Sequence, residues 1–176
     1  HLSIRRQRQM CIRDRSSKKS YDKMSKNERK VAIAKDVIAN LHVLKIRSDY
    51  GYVVTDNDND YDVGSLLSFG ITPKQIAQKA KVECSVCARG AMMLCKIDKF
   101  NNFDFGGVES IGCINQENTF EALQDAFSDD ELREIEYAFE YNWSDIDSDN
   151  DRLRAIMQNI IDHNGKFKPT VEYTVS

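Results

Sequence analysis

Apolar residues recur at helical spacing in three separate stretches, and this periodicity limits the fold more than any other feature of the chain. The stretches at residues 26–44, 128–141 and 151–163 each place apolar side chains every three or four positions. Ser25 and Ser128 each precede a glutamate by three residues, which is the pattern of a helix capping box. Three amphipathic helices must bury their apolar faces against one another, so the sequence predicts helix packing as the basis of the core.

The remaining segments predict shorter elements between these helices. Residues 45–55 are rich in β-branched and aromatic side chains, and a short strand is also predicted near residues 111–114. Further helices are predicted at residues 72–80, 84–98 and 120–127. The predicted fold class is mainly α, of the α+β kind: a single small helical domain of about five helices with a short β hairpin or edge strands.

The first residues of the chain have a different character. Residues 5–14, with the sequence RRQRQMCIRD, resemble the translation of a transposase sequencing adapter, which implies a metagenomic origin of the DNA. We therefore expect residues 1–23 to be a non-native, disordered leader. A single globular domain is predicted at residues 24–169, followed by a tail at residues 170–176.

The charge balance disfavours nucleic acid as a partner. The chain carries 25 basic and 28 acidic residues, but 8 of the basic and 2 of the acidic residues lie within residues 1–23. The rest has 17 basic and 26 acidic residues, and such a surface repels phosphate backbones.

No apolar run approaches the ~20 residues that span a bilayer, and no secretory signal is recognisable. We expect no membrane partner and a cytoplasmic location in a bacterial host cell.

Cys84 and Cys87 form a C-x2-C pair, the most distinctive chemical feature of the sequence. Such a pair offers two thiolates to zinc or a site for redox chemistry, although the second ligand pair of a structural zinc site is missing. Together with Ala91 and Cys95 the pair also forms a stripe of small side chains that favours close helix packing. We expect no metal and no cofactor; if a metal binds, Cys84 and Cys87 are the candidate ligands.

Other motifs do not identify a reaction. Alternate aspartates at residues 56–62 and 145–151 resemble the start of a calcium-binding loop, but both lack the glycine and the bidentate glutamate that complete it. Solvated loops are the favoured interpretation. Phosphate-binding loops, nucleophile elbows and zinc-protease motifs do not occur in the sequence. The sequence therefore identifies no catalytic or cofactor-binding residue.

Four segments resemble successive motifs of small uncharacterised proteins of bacteriophages and prophages. They are ERKVAIAKDVI at residues 28–38, CSVCARGA at 84–91, LREIEYAFE at 132–140 and RLRAIMQNII at 152–161. No activity is assigned to that family, so the resemblance implies only a viral or mobile-element context.

Two functional hypotheses follow. The first is a non-catalytic accessory protein that binds a host protein or small molecule, with counter-defence as one such role. The alternative is a thiol- or zinc-dependent enzyme or regulator that uses the Cys84/Cys87 pair. Of the two, we favour the binding protein over an enzyme.

Overall fold

The predicted amphipathic helices are present in the computed structural model, which describes residues 20–48, 52–55, 74–75, 77–78, 81, 84–100, 113–114, 116–141 and 145–169. The main helices are α1 (Lys26–Asn40), α2 (Ala88–Phe100), α3 (Gln116–Leu123), α4 (Asp129–Glu140) and α5 (Asp149–Asp162). The mainly α fold class is confirmed. No helix among the described residues is long and apolar enough to cross a membrane.

Both predicted capping boxes are confirmed. The Ser25 side chain accepts a hydrogen bond from the Glu28 N–H, and the Glu28 carboxylate accepts one from the Ser25 N–H. Ser128 and Glu131 exchange the same two bonds at the start of α4. These bonds satisfy N–H groups that a helix leaves without partners, which is why both starts could be read from the sequence.

The strands form a small mixed sheet in the order β1-β3-β2-β4. Its strands are β1 (Lys45–Ile46), β2 (Val53–Thr55), β3 (Cys84–Val86) and β4 (Cys113–Ile114). β3 pairs in parallel with β1 and antiparallel with β2, and β4 extends the sheet beyond β2. The strand predicted near residues 111–114 is confirmed. Residues 45–55 allow either a short strand or a hairpin, and the structure has strands there but no hairpin, because β3 lies between β1 and β2.

The helix predicted at residues 84–98 begins later than expected. Cys84–Val86 is a strand, and the helix starts only at Ala88. Strand pairing with two segments that are distant in sequence overrides the local helical pattern here. From Ala88 to Ile97 every residue of α2 is buried, since α1, α3 and α4 all contact this helix. α2 is therefore the central helix of the core.

A glycine allows the sheet to approach α2 closely. A Cβ atom on Gly90 would collide with the backbone carbonyl of Tyr52, which itself accepts a 3.3 Å hydrogen bond from the Cys87 N–H. Only glycine leaves room for this contact. β2 and the start of α2 are thereby held together.

The predicted domain boundary after Lys23 needs correction. Tyr21 is fully buried, and its ring lies 4.4 Å from that of Phe100, centroid to centroid. The Arg29 guanidinium carbon stands 5.0 Å from the same ring centroid. The capping box at Ser25 marks the start of α1 but not the start of the packed structure. The adapter-like residues 5–14 and the tail at residues 170–176 lie outside the described residues.

α1 and α5 form the most extensive helix pair. Ile33, Ala34 and Val37 of α1 and Leu153, Ile156 and Ile160 of α5 are all fully buried. The chain after α5 turns at Asn164-Gly165: Gly165 has a positive φ of 87°, and its N–H donates a hydrogen bond to the Ile160 carbonyl at 2.8 Å. The first and last main helices thus belong to one core.

Candidate functional site

The structure buries the predicted thiol pair. Cys84 lies in β3 and Cys87 immediately before α2, with exposed fractions of 7% and 2%. Both are free thiols. Burial raises the pKa of Cys87 to about 12, even though the backbone N–H groups of Gly90 and Arg89 donate hydrogen bonds to its sulfur. A thiol that stays protonated at neutral pH is a poor nucleophile and a poor metal ligand.

Cys95, the third cysteine of the predicted stripe, is also fully buried. Burial raises the pKa of its thiol to about 12 as well. Within the described ranges, no group of three or more histidine, cysteine or acidic residues is placed to hold a metal ion. Ala91 and Cys95 of the stripe are buried where α2 packs against its neighbouring helices.

The calcium-like aspartate pattern at residues 145–151 serves local structure. Asp149 accepts a 2.9 Å hydrogen bond from the Ser48 N–H and pairs with Arg152. Its carboxylate also lies in the first turn of α5, where negative charge is favourable. The other pattern, at residues 56–62, lies outside the part of the chain that the structure describes.

A buried charge cluster joins the sheet to α4 beside Cys87. Arg89 is fully buried, and its Nη2 atom lies 3.1 Å from a carboxylate oxygen of Glu136. Its Nε donates to the Leu132 carbonyl at 3.3 Å. Burial raises the pKa of the Tyr52 hydroxyl above its usual range, and a hydrogen bond to Glu136 raises it further. These contacts hold one face of α4 against the core, so the residues on its opposite face point to solvent.

The outward face of α4 carries two exposed aromatic side chains. Tyr137 and Tyr141 are 65% and 67% exposed, the highest fractions among the large hydrophobic side chains described. Their ring centroids lie 4.4 Å apart at an interplanar angle of 29°, so the rings are stacked. Spacing of four residues on one helix face brings them together.

A groove runs beside this pair. It has a volume of about 560 Å³ and is lined by Arg133, Glu134, Tyr137, Ala138, Tyr141 and Pro169, a set that we call the tyrosine surface. A second depression of about 380 Å³, between α1 and Asn164, contains no aromatic side chain. The tyrosine surface is therefore the better candidate for recognising another molecule.

The charge around the tyrosine surface is predominantly negative. Arg133 is neutralised by Asp129 at 2.8 Å. Within the described ranges, Glu134 and Glu140 form no ion pair. Partial burial and repulsion by Glu136 raise the pKa of Glu140, and Arg89 only partly offsets this. The surface thus combines exposed aromatic rings with uncompensated carboxylates.

The tyrosine surface was not predicted from the sequence. The predicted stripe of α4, with Leu132, Ile135 and Phe139, is confirmed as buried. Tyr137 and Tyr141 lie on the opposite face. Their four-residue spacing on an otherwise polar face is the sequence feature that could have indicated this surface.

Comparisons with known proteins add no constraint to the site. No family model matches the chain, and neither the curated proteins nor the solved structures contain a match.

Proposed function

We propose that this protein is a non-catalytic phage or prophage accessory protein that binds a host protein through the tyrosine surface. The observation that carries the proposal is the exposed, stacked Tyr137–Tyr141 pair beside an apolar groove. Aromatic side chains of this exposure are unfavourable in water and are enriched at the centres of protein interfaces. Blocking a host defence is a role that suits such a protein.

The thiol alternative has weaker support. A thiol- or zinc-dependent mechanism needs thiolates that solvent or a metal can reach, yet Cys84 and Cys87 are buried and the pKa of Cys87 is raised. The tyrosine surface, in contrast, is already open to a partner. We therefore place the function at α4 and not at the cysteine pair.

A photo-crosslinking experiment tests the proposal. Tyr137 is replaced by the photo-reactive p-benzoyl-phenylalanine in the full chain, and the same substitution at the exposed Glu121 of α3 serves as the control. Both variants are expressed in bacterial cells, irradiated and analysed by mass spectrometry. We expect a specific protein adduct at position 137 that is absent at position 121.

Two results would contradict the proposal. Equal adducts at both positions would mean that capture is non-specific. A small molecule retained by the purified wild-type chain in native mass spectrometry, and lost on replacing both tyrosines with alanine, would show that the groove serves a small ligand instead of a protein.

A further inference from the structure

The outward charges of α4 indicate the chemistry of the partner. Between Asp129 and Glu140 this helix contains six acidic residues and one basic residue. Three of the acidic residues are matched: Asp129 pairs with Arg133, Glu131 with Lys30 and Glu136 with Arg89. The remaining ones are Asp130, Glu134 and Glu140, and all three are exposed. Charge that the fold itself does not compensate is available to a partner of opposite sign.

The tyrosine rings present a second feature that suits a cation. An aromatic face attracts an ammonium or guanidinium group through the quadrupole of the ring, and a nearby carboxylate adds a separate charge attraction. The protein uses such contacts internally, since the Arg152 guanidinium carbon lies 5.3 Å from the Phe139 ring centroid. At the tyrosine surface the rings are exposed and no cation of the described chain is stacked on them.

We propose that the tyrosine surface binds a basic segment of the partner protein, with an arginine side chain stacked on the Tyr137–Tyr141 pair and held by Glu134 and Glu140. An adjacent apolar side chain of the same segment fills the groove between Ala138 and Pro169. This inference rests on the proposed function, because it names the partner chemistry of the same surface.

Two other occupants fit less well. A nucleic acid would bring phosphates against Glu134 and Glu140, which is repulsive. A second copy of this chain, related by twofold symmetry about Tyr137, would place Glu134 of one copy opposite Glu140 of the other. A cationic segment is the occupant whose charge complements the surface.

Peptide titration tests the charge requirement. The probe is a fluorescent twelve-residue peptide that contains arginine and leucine, compared with the same peptide in which citrulline, a neutral isostere, replaces each arginine. Binding to the full chain is followed by fluorescence anisotropy. We expect the citrulline peptide to bind about tenfold more weakly, and the arginine peptide to lose affinity as salt rises.

Matched variants test whether the arginine peptide binds at the tyrosine surface. The Glu134→Gln/Glu140→Gln double variant should weaken arginine-peptide binding about threefold. The control Glu121→Gln/Asp147→Asn removes the same charge from exposed positions away from the groove and should stay within about twofold. The Tyr137→Ala/Tyr141→Ala variant should abolish binding, with a circular dichroism melt to show that it is folded.

The outcomes separate this inference from the proposed function. Equal binding of the arginine and citrulline peptides, or an equal effect of the two charge variants, would overturn the cationic partner while leaving a tyrosine-dependent apolar interface. Peptide binding that does not depend on the tyrosines would show that the tyrosine surface is not the binding site. Self-association of the chain that is lost in the tyrosine variant would show a second copy as the occupant.

Discussion

Two tyrosines of very different exposure show what single residues contribute. Tyr21 is fully buried among Phe100, Arg29 and Lys96, whereas Tyr137 is 65% exposed. We expect Tyr21→Ala to lower the free energy of unfolding by about 3 to 5 kcal/mol, because it leaves a large cavity. Tyr137→Ala should change it by no more than about 0.5 kcal/mol. Urea unfolding measures both, and similar values for the two variants would mean that Tyr21 is not part of the core.

The buried Arg89–Glu136 pair predicts that two glutamates of α4 differ strongly in their contribution to stability. Glu136→Gln leaves the fully buried guanidinium without its carboxylate, so we expect a loss of about 3 kcal/mol of stability. Glu134→Gln, two residues away on the exposed face, should stay within about 0.5 kcal/mol. Chemical denaturation compares the variants. A loss for Glu136→Gln as small as that of the control would show that Arg89 does not depend on this partner.

At the scale of elements, a pH-dependent contact joins α1 to α4. Burial by itself would raise the pKa of Glu131, but hydrogen bonds from Lys30 and from the Ser128 N–H outweigh it and hold the pKa below its usual range. A carboxyl group with a lowered pKa stabilises the fold above its unfolded-state pKa, and this stability is lost as the pH falls through the folded-state value.

The corresponding prediction concerns Glu131→Gln. The variant should be less stable than the wild type at pH 7, and the difference should shrink as the pH is lowered to about 3. Thermal melts over this range measure it, with Glu121→Gln at an exposed position of α3 as the control. A difference that stays constant with pH would mean that the carboxylate charge is not the source of the contact's stability.

Helices whose signals are local could be predicted, whereas strand β3 and the pairing of the sheet could not. The capping serines and the apolar stripes of α1, α4 and α5 lie within each helix, so their positions follow from the sequence. β3 is a strand only because β1 and β2 pair with it, and those partners are tens of residues away. The candidate site divides in the same way, since the Tyr137–Tyr141 spacing is visible in α4 while the position of Pro169 depends on tertiary packing.

At the scale of the whole molecule, α5 cannot be removed without exposing the core. Leu153, Ile156 and Ile160 are fully buried, and each such side chain contributes roughly 1.5 to 3 kcal/mol. Truncation after Trp143 removes all three and uncovers α1, so we expect an insoluble or molten product. Size-exclusion chromatography and a thermal melt test this. A monomeric product with a cooperative melt would mean that α5 belongs to a separate module.

The proposed role of the tyrosine surface in binding a partner can be measured directly on the complex. Its most direct test is the dissociation constant of the host protein captured by crosslinking at position 137, measured by isothermal titration calorimetry. We expect Tyr137→Ala/Tyr141→Ala to weaken binding at least about tenfold, as for aromatic residues at the centre of an interface. The Glu121→Gln/Asp147→Asn control should keep its affinity within about twofold. Unchanged affinity of the tyrosine variant would show that the partner binds elsewhere on the protein.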